Sequence, residues 1–483
     1  LLRRATYGPS PQMVNGAVQA GLNSTLDTLF ANSPMPDPPV KYLPDGDGES
    51  TSNTLYDPDV AQGETWINAP PFPDSEIITT NLDRNRILRA RRKSLDGWSF
   101  LLMHSESSSI REKLVVFWHN HFVASDFTIA QRTYNYVNTI RGHAMGNFRD
   151  LAKAMCIDSA ILLFLNGAQS TNVAPNENFP REFLELFTVG KGDLAAPGDY
   201  STFTEDDVLA MSRVFTGWRV AVSRAAFEDG STLVPYFDEE LHSSGNKQLS
   251  HRFGDAIVEY AADNEYRDLV DTIFQSPHCA LNLVRELYRW FVHYRIGEEV
   301  ETVIIEPLAQ LVRDNDYEIL PALRTLLASE HFFSHRGCML KSPVDLMLSL
   351  SQGLGVPVPE DLEEKYQYGV MLHKTSEQLG MGLFNHVHVG GWSAWYQAPQ
   401  YYRFWLNNIT LPLLNNYATF FVYGGTLETD SENFRIGDLI PVLDLAAATS
   451  DPLSASTIVD ELAQLVFSES PTVDQKTYLK AAL

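Results

Sequence analysis

Two short phrases of the chain carry side chains able to do chemistry. The first is Arg111–Phe122, where His119 and His121 stand among Leu114, Phe117 and Trp118. Read as a helix, Leu114, Phe117, Trp118 and His121 share a face. His119 lies about 200° from His121 around the axis, so only one imidazole is expected to look inward. We expect that one to be His121. A buried imidazole needs hydrogen-bond partners or a metal. The second phrase is Asn176–Phe187, a proline-started helix with Glu182 and Glu185 at i and i+3 among Phe183, Leu186 and Phe187. Arg181 can pair with Glu185 at i+4, and acids in a first turn suit the helix dipole. Two carboxylates and a neutral imidazole form a common ligand set for zinc or iron, with a position left for water. The same three groups also make a metal-free lock, an imidazolium between two carboxylates. The expectation is that His121, Glu182 and Glu185 converge, with His119, Asn178 and Arg181 orienting them. No residue is assigned a catalytic role.

Other chemistry is thinly represented. The sequence holds no phosphate loop, HExxH, CxxC, GxSxG or GxGxxG pattern. Ser244 and Lys247 match SxxK inside a polar loop, which reads as coincidence. Asp45, Asp47 and Glu49 alternate like calcium ligands, as do Asp314, Asp316 and Glu318. Both lack the rest of such a loop and read as solvated turns. Cys156, Cys279 and Cys338 are too scattered for a disulfide framework, and we expect three buried thiols.

The elements that must position these residues are mostly helices. Ser10-Pro11, Thr204–Asp207 and Ser342–Asp345 are start signals, each with an apolar stripe behind it: Val14, Ala17 and Val18; Val208, Met211, Phe215 and Trp218; Leu346 and Leu350. Val284, Leu287, Tyr288 and Phe291 form another stripe. Strand patterns are scarce, with Thr232–Phe237 and Phe420–Tyr423 the best. The fold class is mainly α, a multi-helical globular core with long irregular loops and at most a few short strands. Residues 1–33 form an N-terminal helical segment, and 34–82 a proline-rich acidic loop or arm with nine prolines in 34–73. A central helical core spans 83–219, a loop-rich insertion 220–254 and a second helical layer 255–354. Residues 355–483 make a C-terminal helical and loop region, the whole reading as one unit.

Composition sets outer bounds on the 483 residues. Thirty-six Lys and Arg stand against 61 Asp and Glu, a net charge of −25. That excess argues against nucleic acid and against an anionic membrane surface. With 44% hydrophobic residues the chain can bury a large core, and no apolar run is long enough to span a bilayer. Tyr42, Tyr56, Trp66, Phe72, Trp392, Trp395 and Tyr396 on the loops at 34–73 and 381–397 suit either self-association or packing back onto the chain's own core.

The phrases above resemble those of the domain-of-unknown-function 1800 family, a large, mostly bacterial group. The resemblance runs through Ala5–Ser10, Arg111–Phe122, Gly146–Asp150, Asn176–Gly190, Thr204–Trp218, Lys341-Ser342-Pro343 and Gly391-Trp392. The arm at 34–73 looks like an insertion, His386-Val387-His388 replaces a proline-rich run, and Ser243 stands where an aspartate is usual. The resemblance implies a helical protein of periplasmic or extracellular location. It also implies a partner from the domain-of-unknown-function 1501 family, which resembles sulfatases. Three functional readings follow: an exported protein with an internal His/Glu polar or metal site able to act catalytically, a structural or assembly subunit, and an accessory partner of a sulfatase-like protein.

Overall fold

The computed structural model describes residues 1–482, apart from 47–53, 72–80, 106–107, 126–128, 223–224, 227–229, 424, 430–431, 437–439 and 468. It is mainly α-helical, with 58% of residues in helices. The longer helices are α1 (Pro11–Leu29), α2 (Asn81–Ser105), α3 (Arg111–His121), α4 (Ala130–His143), α5 (Phe148–Cys156), α6 (Glu205–Val214), α7 (Glu265–Ile273) and α8 (Pro277–Phe291). They continue as α9 (Glu306–Asp314), α10 (Leu320–Ala328), α11 (Pro343–Gly353), α12 (Leu362–Gln378), α13 (Thr410–Tyr423), α14 (Ala455–Val466) and α15 (Val473–Ala482). Strands occur among the described residues only as four antiparallel pairs of two to five residues. No described helix is long and apolar enough to cross a membrane.

The start signals act as their chemistry requires. Ser10 Oγ accepts from the Met13 amide, Thr204 and Asp207 form a reciprocal capping box, and Ser342 Oγ accepts from the Asp345 amide. The helix begun at Thr204 stops at Val214, so Trp218 lies on a short strand instead of extending the stripe. Phe420–Tyr423, expected as a strand, closes α13, where Tyr417, Phe420 and Phe421 are buried at helical spacing. At the other strand candidate only Tyr236–Phe237 pairs, after a 3-10 turn over Ser231–Leu233.

One apolar core is continuous from Ala5 to Phe421. Its axis is α3, whose residues Arg111–His119 and His121 are all buried. The crossing of α2 and α12 beside it depends on two glycines. A Cβ on Gly369 would lie 2.3 Å from Gly97 O, and one on Gly97 would lie 2.8 Å from Tyr366 O. The two backbones touch there, and no side chain fits between them.

The proline-rich arm packs back onto this crossing. Trp66 Nε1 donates to Ser94 Oγ at 3.0 Å, Trp98 Nε1 donates to Asp37 O at 2.8 Å, and Tyr42 stacks on Tyr366. Arg91 and Asp57 form a buried ion pair at 2.9 Å. Trp392 and Trp395 of the 381–397 loop are also buried, and Tyr396 is exposed. Tyr56 is half-buried, while Phe72 lies outside the described residues. The loop aromatics therefore spend most of their apolar surface inside their own chain. Of the three cysteines, all unpaired, Cys156 and Cys279 are buried as expected; Cys338 is exposed, in the turn before α11.

The glycine crossing makes a sharp prediction. Gly369→Ala lowers unfolding free energy by about 1–3 kcal/mol in urea titration, because the added methyl must push two backbones apart. Gly142→Ala, on α4 with open space around it, leaves stability unchanged or raises it.

Candidate functional site

His121 closes the last turn of α3, where the C-terminal end of the helix favours a cation. Its ring sits in an aromatic box of Phe117, Trp118, Phe122, Phe148 and Phe187. Nε2 is 2.9 Å from the carbonyl of Phe187, which can only accept, so Nε2 carries a proton and donates. Nδ1 is 2.6 Å from Glu286 Oε2 on α8. A nitrogen and a carboxylate oxygen at that separation hold one proton between them. Both ring nitrogens are therefore committed to the protein.

Neither carboxylate expected to meet His121 lies within ion-pair distance of it, and Glu185 is engaged elsewhere. The helix at Asn178–Glu182 widens into a π turn over Phe183–Phe187. Glu185 accepts from Lys191 Nζ at 2.9 Å, and Arg181 lies 3.9 Å away. Arg181 is instead held bidentately by Glu205 at 2.8 and 2.9 Å, with Glu177 at 3.3 Å. Glu205 raises the Arg181 pKa. Asn178 Nδ2 donates to Leu165 O at 3.2 Å, bracing the turn before this helix. Glu182 is half-buried; burial first, then the charge of Glu185, raises its pKa above the ordinary carboxylate value, against the pull of Arg181 and Lys191. Among the described residues no group of three or more His, Cys, Asp or Glu side chains is arranged to hold a metal ion.

The π turn serves His121 directly, because it turns out the Phe187 carbonyl that His121 meets. Thr188 Oγ1 donates to Phe183 O at 2.6 Å, and Asn282 Nδ2 donates to Thr188 O at 3.1 Å. Glu286 and Asn282 thus brace the turn from one helix. In the sequence both flank the apolar stripe of Val284, Leu287, Tyr288 and Phe291 on α8, and nothing there links them to His121.

His119 is buried as well, against the expectation that only one histidine looks inward. The two rings do leave α3 in opposite directions, but the helix is covered on every side. Tyr136 Oη donates to Phe122 O, so it accepts from His119 Nδ1–H at 2.9 Å. His119 Nε2 accepts from the Phe384 amide at 3.0 Å. This pattern requires a neutral ring, and burial, with His386 and Arg92 adding to it, holds its pKa well below the ordinary value. His386 packs against it at 4.4 Å between centroids. Neither nitrogen of His386 has a hydrogen-bond partner among the described residues, and burial pushes its pKa down to about 3. Asn120 Oδ1 accepts from the Trp392 amide at 2.8 Å. Only a glycine fits beside it: Gly391 has φ +82°, and a Cβ there would lie 2.4 Å from Asn120 Oδ1.

A separate buried knot fixes the 220–254 segment. Lys247 and Glu265 are fully buried 2.6 Å apart, and His242 Nε2 lies 3.2 Å from Glu265 Oε1. Lys247 also donates to Ser243 O at 2.6 Å, while Ser244 is exposed, so the SxxK match forms no dyad. Asp316 pairs with Arg149 at 2.8 Å and Glu318 accepts from Asn147 at 3.2 Å, as a pinned turn.

These features define a mainly helical protein organised by buried polar pairs around one central helix. The chain belongs to the family described as Protein of unknown function (DUF1800), whose profile matches residues 1–483. No curated protein and no solved structure matches it.

The neutral histidines set a pH dependence. With its folded pKa near 3 against an ordinary 6.5, His386 takes up a proton in the unfolded chain but not in the folded one between those values. Stability therefore falls as pH drops through that window, by up to about 1.4 kcal/mol per pH unit for one group. In melts from pH 7 to 4, His386→Phe flattens this acid limb; an unchanged slope would show that the ring titrates in the folded state.

Proposed function

We propose that this protein works as a rigid, exported helical scaffold in which His119 and His121, with the groups that hold their ring nitrogens, form an internal lock. One observation carries this reading: all four ring nitrogens of His119 and His121 are taken by partners on other elements. A metal at His121 would first have to displace Glu286 or the Phe187 carbonyl. The lock then takes the metal-free form, an imidazole–carboxylate pair, with Glu286 in the role expected of Glu182 and Glu185.

A second reading, an acid–base centre, is favoured by Glu182. It is a half-buried carboxyl with a raised pKa at the start of a π turn, and such turns are frequent at functional sites. Periplasmic or extracellular location is supported by the family resemblance and by the acidic, cysteine-poor composition. A sulfatase-like partner rests on the resemblance alone, and its test is copurification from the native host.

The test of the lock uses full-length protein. Chelator leaves the melting temperature unchanged, and His121→Phe costs about 1–3 kcal/mol through the unpaired Phe187 carbonyl and Glu286. Stoichiometric zinc or iron that disappears in His121→Phe would overturn the lock. Glu182→Gln separates the second reading: a carboxyl with a raised folded pKa opposes folding as pH rises through it. The amide variant thus melts no lower than the parent at pH 7. A marked drop would instead make Glu182 part of the lock.

A further inference from the structure

The N-terminal segment and α11 enclose a cleft of about 850 Å³ that shares no residue with the lock. Its size lies within the roughly 300–1,000 Å³ of small-molecule sites. Two features set its chemistry. The first is an unpartnered apolar wall. The stripe Val14, Ala17 and Val18 of α1, which its spacing assigns to a core, lines the cleft instead, and Val18 is 77% exposed. Leu346 and Leu350 of α11, and Leu354 just after it, line it too.

The second feature is charge of the wrong sign for this chain. In a protein of net charge −25, the lining holds five cationic side chains, Arg3, Arg4, Lys113, Arg336 and Lys341, and one carboxylate, Asp345. Asp345 is already paired with Lys113. Arg336 has Glu469 at 3.9 Å. Arg3, Arg4 and Lys341 have no carboxylate within ion-pair distance among the described residues. Arg3 spends its donors on the carbonyls of Gln464 and Phe467 at the C-terminal end of α14, and Arg4 on that of Phe332. Among the described residues Lys341 reaches only Ser349 Oγ, at 2.6 Å. Burial, reinforced by Arg3 and Lys113 and opposed by Asp345, pushes the Lys341 pKa down to about 8. A partly buried ammonium without a counter-ion beside apolar walls suits an anion that brings its own apolar body.

We propose that this cleft binds a long-chain carboxylate, its head on Lys341 and its chain along α1 and α11. The test is calorimetric titration of the full-length protein with hexadecanoate and with hexadecanol. Hexadecanoate binds one per chain and hexadecanol at least about tenfold more weakly, tenfold being 1.4 kcal/mol. Lys341→Gln removes that difference by weakening the acid alone. Leu350→Trp, or Val14→Trp on the exposed stripe should the first fail to fold, blocks both probes by filling the cleft. Absence of binding by either probe, equal binding of both, or hexadecanoate binding indifferent to Lys341→Gln would each overturn the proposal. None of these outcomes bears on the lock at His121.

Discussion

The structure depends on one helix being buried on every side. A surface helix hides one stripe and leaves its polar residues in water; α3 cannot, so each polar side chain along it needs a partner from another element. Arg111 donates to the carbonyls of Ser33 and Pro34 at the root of the arm. Glu112 takes Arg141 of α4 bidentately at 2.8 and 2.9 Å. Lys113 pairs with Asp345 of α11, His119 with Tyr136 of α4, Asn120 with the Trp392 amide, and His121 with Glu286 of α8. Each partner lies on a particular segment, so the polar residues specify which element packs where around α3. Apolar burial supplies most of the driving force but is indifferent to such detail.

This arrangement carries a cost that the protein meets unevenly. Charged pairs such as Glu112–Arg141 are hydrogen-bonded on both sides, and removing one partner of such a buried pair costs several kcal/mol. The histidine pair uses a different solution. His119 stays neutral because one nitrogen must accept an amide hydrogen, while burial keeps His386 neutral, its nitrogens having no partner among the described residues. Two imidazoles in contact can both be buried only if neither is charged. The 381–397 loop is therefore bound to α3 through neutral groups and packed aromatics, which leaves acid as the condition that loosens it.

Much of this was legible in the sequence, and the failures share a cause. Caps at Ser10, Thr204 and Ser342 are local events, governed by residues three apart, and they form as read. The burial of His121 followed from its apolar neighbours. Its partner did not, because Glu286 lies 165 residues away and only tertiary packing brings it near. Glu182 and Glu185 do lie near each other, but whether they reach His121 is set by tertiary packing, which leaves no mark in residue type or spacing. The reading of His119 failed for a similar reason. Periodicity tells which residues share a face, and it cannot tell that a helix has no exposed face. The arm was read as a surface loop, with its aromatics suited equally to self-association or to packing back on the core. Yet a few anchors, Trp66, Tyr42 and Asp57, suffice to bind a segment that is otherwise polar.

The same helix also connects the two halves of the molecule that carry its polar chemistry. Lys113, in the first turn of α3, stands at the edge of the cleft and takes Asp345 out of it as a free carboxylate. His121, in the last turn, holds the π turn and α8. Between them lie about two turns of helix with no glycine or proline, stiff over that length. A displacement at Asp345 would have to move α3 as a body or break the Lys113 pair. Moving α3 would disturb every partner named above at once. The cleft thus has a wall fixed by the Lys113–Asp345 pair on one side, at α3 and α11, and by carbonyl-bound arginines on the other. Such a wall binds by shape and sign already in place, without paying to order itself first.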